Sequence, residues 1–351
     1  MKKFSAAITV LFLLFVFHPS IISAHEAYVL TRAEFQKGLA TTTSHPLAGL
    51  LNPRHIGISI EIMLGVIFLY LLALIFATTP FASFLDRILK KATFLGPLII
   101  RLAISASFFY AAFANAILGP ELSLTTIAGG PLIRFLLFTL SIMIFLGFFT
   151  ELAAAIGLGI FFYITYTFQA YMITYANYFG ELLVLLLFGS RFLSLDLLFF
   201  GEKAWLPYFE QKRFLEIPIV RILYGIALMY AGWTIKFMHQ GLSIAVYNQY
   251  HLHNFFHASA RFIAAGAGVS EIAIGLFILL GFAQRLTVII SLFFITLSIF
   301  YFREMLWPHF MLYGISFSLF INSADQCTLD RYIVPLLTRI TRNRKNRKKR
   351  K

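Results

Sequence analysis

One cysteine, Cys327, is all that 351 residues contain, which excludes an intrachain disulfide and any dithiol relay carried by this chain alone. Charge is nearly as scarce. Only 13% of the residues are Asp, Glu, Lys or Arg, against 60% hydrophobic, a balance that excludes an ordinary soluble domain and indicates a polytopic membrane protein. Acids are the scarcer sign, 15 against 29 Lys and Arg, giving a net charge of +14. In a soluble chain that excess would point to nucleic acid. Here ten of the basic residues fall within 331–351, with no acid among them, so the excess belongs to a tail. Beside a final apolar run, such a tail reads first as a cytoplasmic anchor and second as a contact to anionic lipid, and nucleic acid is not among the expected partners.

What is abundant is apolar length. Lys2-Lys3, the apolar run 8–17, Pro19 and the small Ala24 make up a secretory signal over 1–24, with cleavage expected after Ala24. An uncleaved anchor is the alternative, because Ile22 is bulky for its place. Cleavage would leave His25 as the first residue, where an amino group and an imidazole together can chelate copper. Residues 25–56 are mixed and polar, an extracytoplasmic segment. Crossing the hydrocarbon takes about 20 apolar residues, and nine runs meet or approach that length: 57–78, 98–118, 132–149, 152–170, 173–189, 217–237, 263–282, 286–302 and 307–322. With the N-terminus outside, the inside loops collect Arg87, Lys90, Lys91, Arg191, Lys203, Lys212, Arg213 and Arg285, as the positive-inside rule requires. The expected setting is a bacterial-type inner (plasma) membrane, with the C-terminus cytoplasmic.

The runs are organised by a stretch that occurs twice. L-G-F-F-T-E-L at 146–152 and L-G-F-A-Q-R-L at 280–286 lie 134 positions apart. The same offset aligns Phe168 with Phe302, Gly180 with Gly314, and Leu195-Asp196 with Leu329-Asp330. Eleven of the fifty-one ungapped pairs are identical, and the Gly and Asp matches at constant spacing carry the case, because Leu and Phe match often by chance here. Upstream the offset is 120: Arg101 meets Arg221, Tyr110-Ala111 meets Tyr230-Ala231, and Phe113 meets Trp233. The difference is an insertion after Trp233, in a His-rich stretch before Glu271. The expectation is therefore an all-α membrane protein of about nine transmembrane helices. It comprises two parallel four-helix repeats, 98–196 and 217–325, and one extra N-terminal span, 57–78. An interfacial amphipathic linker, 197–216, joins the repeats, and 326–351 form the basic tail.

Ionisable residues inside apolar runs carry the functional information, since a charge at bilayer depth costs at least ~2.5 kcal/mol without a partner. Arg101 and Arg221 lie near the inner starts of their spans, where long side chains snorkel, so both read as headgroup anchors. Glu61 and Arg134 lie near outer ends and read as structural. Glu181 and Glu271 fall near the midplane, too deep to snorkel. Lys236 is the cation of the second half able to approach Glu271 from a neighbouring helix. A Lys236 to Glu271 pair either passes protons or holds a ligand's polar head in a cavity, or else fixes helix register as a buried ion pair. At the outer face gather His239, Tyr247, Tyr250, His251, His253 and His257, with Trp307 and His309 from the last outer loop. His253 and His257, four apart, would share one side of a helix. His251, His253 and His257 are the weak metal candidates. Without H-E-x-x-H or a cysteine partner, an aromatic interfacial loop is the favoured reading over metal or haem.

The stretch R-I-L-Y-G-I-A-L-M-Y-A-G-W-T-I-K at 221–236, followed by E-I-A-I-G-L-F-I-L-L-G-F-A-Q-R at 271–285, resembles the DoxX-like family of small four-helix membrane proteins. Arg221, Lys236, Glu271, Gly281 and Arg285 match its pattern. In the first half, Ala116, Leu137 and Glu151 replace the Lys, the Glu and the basic residue. The resemblance implies respiratory or redox work at the membrane, since relatives include a small subunit of a thiosulfate:quinone oxidoreductase and a membrane partner of secreted redox enzymes. Relatives that handle disulfides use paired cysteines, which this chain lacks.

The function expected first is a membrane component of a redox or respiratory assembly, binding a quinone-like or other small lipophilic molecule. The ligand-binding candidates are Lys236, Glu271, His309, Tyr230 and Glu181, and electrons would come from a redox partner protein. Lys236 and Glu271 are also the candidates for any catalytic role. The alternatives are a small-solute or ion transporter, or a membrane scaffold without chemistry.

Overall fold

The computed structural model describes residues 30, 32–40, 42–190, 192–201, 209, 211–323, 325 and 327–349. The expected signal, His25, and residues 202–208 and 210 of the linker lie outside the described residues. The described chain is all helical and, apart from an isolated bridge between Ala116 and Ser123, contains no strand pairing. In chain order the α-helices are α1 (Arg32–Leu39), α2 (Ala48–Leu51), α3 (Ile56–Ala77), α4 (Pro80–Lys91), α5 (Leu95–Ala114), α6 (Gly130–Leu146), α7 (Thr150–Phe168), α8 (Ala176–Phe188), α9 (Leu195–Phe200), α10 (Glu216–Ala231), α11 (Gln240–Gln249), α12 (Ala260–Leu280), α13 (Gln284–Phe302), α14 (Phe310–Ile321) and α15 (Asp330–Lys349). Six helical stretches of the described chain are long and apolar enough to cross a membrane. One of them, Thr150–Phe188, is a single run of 39 residues that combines α7, the 3-10 turn Gln169–Tyr175 and α8. Gln169 has a φ of 48°, and beyond it α8 packs back on α7, so the run doubles over.

Two groups of four helices form the body. α5 to α8 pack in succession, as do α10, α12, α13 and α14. Each group also lends its last helix to the other's first: α14 lies along α5, and α8 along α10. One apolar core fills the first group and takes in Trp307 and Met311 from the α14 end; a second, central core joins Ile100, Val184 and Phe188 to Val220, Tyr224, Ile278, Val288, Ile315 and Leu319. α3 stands aside, with most of its apolar surface outward, as suits a helix whose solvent is lipid. It is attached through Tyr70, whose hydroxyl lies 3.1 Å from Thr287 Oγ1 and whose ring meets Phe277 and Phe282.

At one end of the body two turns are built alike. After α6, Gly147 adopts φ 62° and donates to Ile144 O, while Phe148 N–H reaches Met143 O; after α12, Gly281 adopts φ 64° and donates to Ile278 O, while Phe282 N–H reaches Phe277 O. Each is a left-handed C-cap that satisfies helix-end carbonyls. The next helix then starts on a carboxylate from downstream. Asp196 accepts from Phe149 N (2.7 Å), Thr150 N (2.9 Å) and the Thr150 hydroxyl. Asp330 accepts from Ala283 N (2.7 Å) and Gln284 N (2.8 Å). A carboxylate at these exposed N–H groups also complements the positive end of the helix dipole.

Both arginines at this end depart from the sequence expectation. They do not snorkel as headgroup anchors. Arg101 is 3% exposed and donates to Phe192 O and Leu193 O, and Arg221 is 1% exposed and donates to Asp325, Ile278 O, Leu279 O and Cys327 O. A guanidinium with up to five donors satisfies several carbonyls left open at helix ends, and that demand inside the fold outcompetes the membrane surface. At the opposite end, α1 and α2 cover the insertion. Thr43 N donates to Met238 O, and Gln240 Nε2 to Pro46 O, which fastens the N-terminal segment over α11 and α12.

Candidate functional site

The backbone between α10 and α11 widens into a π-helix over Gly232–Met238, with His239 N–H reaching five residues back to Thr234 O at 3.1 Å. Such turns are rare and recur at functional sites because they redirect side chains out of the α-helical register. Lys236 stands on this turn, half-buried. α12 passes beside it at close range, because glycine lines both surfaces. A Cβ on Gly268 would lie 3.2 Å from Lys236 Cβ, and a Cβ on Gly232 would lie 3.2 Å from Glu271 Cβ. The structure therefore places Lys236 and Glu271 on the two facing surfaces of one helix contact. Tyr230, half-buried, is a turn earlier on α10, its carbonyl accepting from the Thr234 hydroxyl.

Further into the second bundle the polar groups continue. Tyr224 on α10 is fully buried, and its hydroxyl lies 3.0 Å from Ser291 Oγ on α13. Ser316 on α14 is also fully buried, and Glu271 stands on α12 where that helix meets the π-turn. Each of the four helices thus carries at least one polar residue within the bundle. Buried hydroxyls and a carboxyl among Leu, Ile and Phe are costly unless mutually satisfied or offered to a ligand.

The remaining candidates lie elsewhere. Glu181 on α8 is fully buried in the first half, and among the described residues neither of its oxygens has a hydrogen-bond partner. His309 is 5% exposed, but its ring is engaged locally: Nε2 lies 3.0 Å from Glu304 Oε2, and Nδ1 lies 2.9 Å from Met305 O. Glu304 in turn accepts from Ser298 at 2.5 Å. His251, His253 and His257 are exposed. The rings of His251 and His253 meet edge to face at 5.6 Å. The expectation that His253 and His257 share a helix face fails, because the 3-10 turn Leu252–Asn254 ends before His257. Among the described residues no three His, Cys, Asp or Glu side chains come together as a metal set.

Sequence reasoning missed Tyr224, Ser291, Ser316 and Glu304. One tyrosine among sixteen, or a serine on an apolar helix, carries no mark until the helices are packed. Glu304 had a readable signal, an acid five residues before His309, hidden by its reading as loop. In comparison with known protein families, residues 217–304, the stretch that supplies Tyr224, Lys236, Glu271 and Ser291, fit the family model of DoxX. No curated protein and no solved structure matches the chain.

Proposed function

We propose, with the DoxX-like second half as premise, that this integral membrane protein is the membrane component of a redox or respiratory assembly, and that its second bundle binds a quinone-like or other small lipophilic molecule. The observation that carries the reading is that Lys236, on a π-turn, and Glu271 face each other across a glycine-lined helix contact, with Tyr224 hydrogen-bonded to Ser291 deeper in the same bundle. Tyr230 and Lys236 would meet the ligand's polar head from the outer side, and the hydroxyls would orient it. Electrons would be supplied by a partner protein. The test is extraction and analysis of lipid from the detergent-purified protein, with its absorption spectrum. Wild type is expected to retain a stoichiometric quinone, and Glu271→Gln to retain at least tenfold less, about 1.4 kcal/mol in affinity. Equal retention by both, or none by wild type, would end the proposal.

The architecture we infer is two parallel repeats of four spans each, making nine with α3. Support comes from the matched Asp196 and Asp330 clamps at an offset of 134 and the buried Arg101 and Arg221 at an offset of 120. α15 would lie on an anionic lipid surface at the inner face: Tyr332, Leu336 and Ile340 are exposed at helical spacing, with Arg331 and Arg339 close by. A reporter fused behind Lys351 should register as cytoplasmic, and the α15 peptide should sediment with anionic but not neutral vesicles.

A further inference from the structure

We propose that the first bundle holds a phospholipid in the groove between α5 and α6, with the lipid phosphate on Arg134. The site is separate from any ligand of the second bundle. A cleft of about 310 Å³ opens between the two helices, lined by Ala112 and Phe113 of α5 and by Pro131, Arg134, Phe135 and Phe138 of α6. Arg134 is exposed, one turn into α6. Its Nε donates to Ala112 O across the groove at 2.8 Å, which fixes the plane of the guanidinium. The sequence reading of this residue as structural accounts for that one bond. Among the described residues the two terminal nitrogens have no partner, and a guanidinium fork held in this way meets two oxygens of one phosphate. No acid competes nearby. The first turn of α6 contains none, and Glu121, the acid of the preceding loop, accepts from Tyr171 and Tyr175. The positive end of the α6 dipole adds to the attraction.

Beyond the cation the groove is aromatic. Phe138, one turn deeper on α6, has its ring 5.8 Å from that of Phe109 and 6.0 Å from that of Phe113, and the latter two lie 4.9 Å apart. Phe113, Phe135 and Phe138 all keep exposed ring surface. At a rise of ~1.5 Å per residue, Arg134 stands ~6 Å and Phe138 ~12 Å from the start of α6. A charge at headgroup depth is therefore followed by an apolar wall at acyl-chain depth. That is the order of parts in a phospholipid. A free phosphate would use only the arginine, and a neutral lipid only the rings.

The corresponding place in the second half is furnished differently. At the offsets that align the two halves, Ala112 falls on Gly232, Arg134 on Gly268 and Phe138 on Ile272. There a Cβ on Gly232 would lie 3.0 Å from Ile272 Cγ1 and 3.3 Å from Gly268 O, so the surfaces close on each other and bring Lys236 and Glu271 face to face. In the first half Ala116 and Leu137 stand at the positions of that lysine and that glutamate, and a cleft with its own cation lies between the helices instead. The first half thus keeps a site at the same seam, for a ligand of the opposite charge.

The test titrates the full chain, delipidated in detergent, with dilauroylphosphatidylcholine and follows adducts by native mass spectrometry. This lipid has a phosphate but no net charge, so the basic helix α15 does not compete for it. Wild type is expected to keep one lipid per chain under activation that strips the rest. Arg134→Gln should weaken that adduct at least tenfold, and Arg303→Gln, which removes an exposed arginine at the same end of the body, should leave it unchanged. Dilauroylglycerol, with the tails alone, and glycerol 3-phosphate, with the phosphate alone, should each need at least tenfold more to displace it. No retained adduct, equal retention in Arg134→Gln, or equal displacement by either competitor overturns the proposal. If Arg134→Gln fails to fold, the two competitions on wild type decide the matter without it.

Discussion

The Arg221→Met chain is expected to unfold with a stability loss of about 3–5 kcal/mol, the range for removing one partner of a buried, hydrogen-bonded charge pair. Both sides of this pair are shielded, at 1% exposure for the arginine and 7% for Asp325, so solvent screening does not reduce the figure. Arg221 Nε lies 3.0 Å from Asp325 Oδ2; its other nitrogens serve Ile278 O, Leu279 O and Cys327 O. Two of those carbonyls belong to the last turn of α12, where a cation also opposes the negative end of the helix dipole. Methionine fills the volume of the side chain's stem and takes the guanidinium donors away from a carboxylate and three carbonyls, of which, among the described residues, Ile278 O keeps only Gly281 N–H and Asp325 keeps only Cys327 N–H. Thermal unfolding in detergent, followed by circular dichroism, is the measurement. Arg101→Met should lose less, because among the described residues its guanidinium donates to two carbonyls, of Phe192 and Leu193, and to no carboxylate. The double change Arg221→Met with Asp325→Leu should recover more than half of the loss, since it removes the stranded charge as well. A loss below about 1 kcal/mol for Arg221→Met would mean that the cluster is wet and the site an ordinary surface bond.

The same arginine marks how far the sequence could be read. Position within a span is legible from spacing, and it put Arg221 near the start of its helix, where the structure has it. Snorkelling followed from depth alone, because the competing acceptors are backbone carbonyls, and no residue letter announces them. The turn aspartates were legible for the opposite reason: Gly147 with Asp196 and Gly281 with Asp330 are residues whose identity the geometry demands, a φ near 63° and two exposed N–H groups. Of the candidate site, Lys236 and Glu271 could be singled out as charges in apolar runs. Tyr224, Ser291 and Ser316 could not, since their meaning depends on four helices being brought together. The π-turn under Lys236 was equally hidden, because G-W-T-I-K-F-M reads as one more turn of α-helix.

The second large effect concerns the glycines that bring α10 and α12 together. A Cβ added to Gly275 would stand 2.8 Å from Gly225 O and 2.8 Å from Met229 N, and one added to Gly225 would stand 2.6 Å from Gly275 O. These are backbone atoms, so no rotamer change relieves the clash and the helices must separate. Small residues at helix contacts matter more within a bilayer, where close packing replaces the hydrophobic drive between helices. Gly275→Ala is therefore expected to cost at least the upper part of the ~1–3 kcal/mol typical of overpacking, read as a lowered thermal midpoint in detergent. Gly266→Ala on the same helix is the control. Nothing lies within 4 Å of its added carbon, so it should be neutral or gain up to about 0.5–1 kcal/mol from helix propensity. The functional consequence follows from the same contact. Gly232 and Gly268 are where Glu271 and Lys236 come face to face, seven residues along each helix from Gly225 and Gly275. Prising the seam open at Gly275 should move Lys236 and Glu271 apart while leaving both side chains in place. With the second bundle proposed to bind a quinone, Gly275→Ala should accordingly retain less of it with Glu271 intact, whereas a variant that retains as much as wild type and keeps its thermal midpoint would show that the seam tolerates a wider spacing and does not set the site.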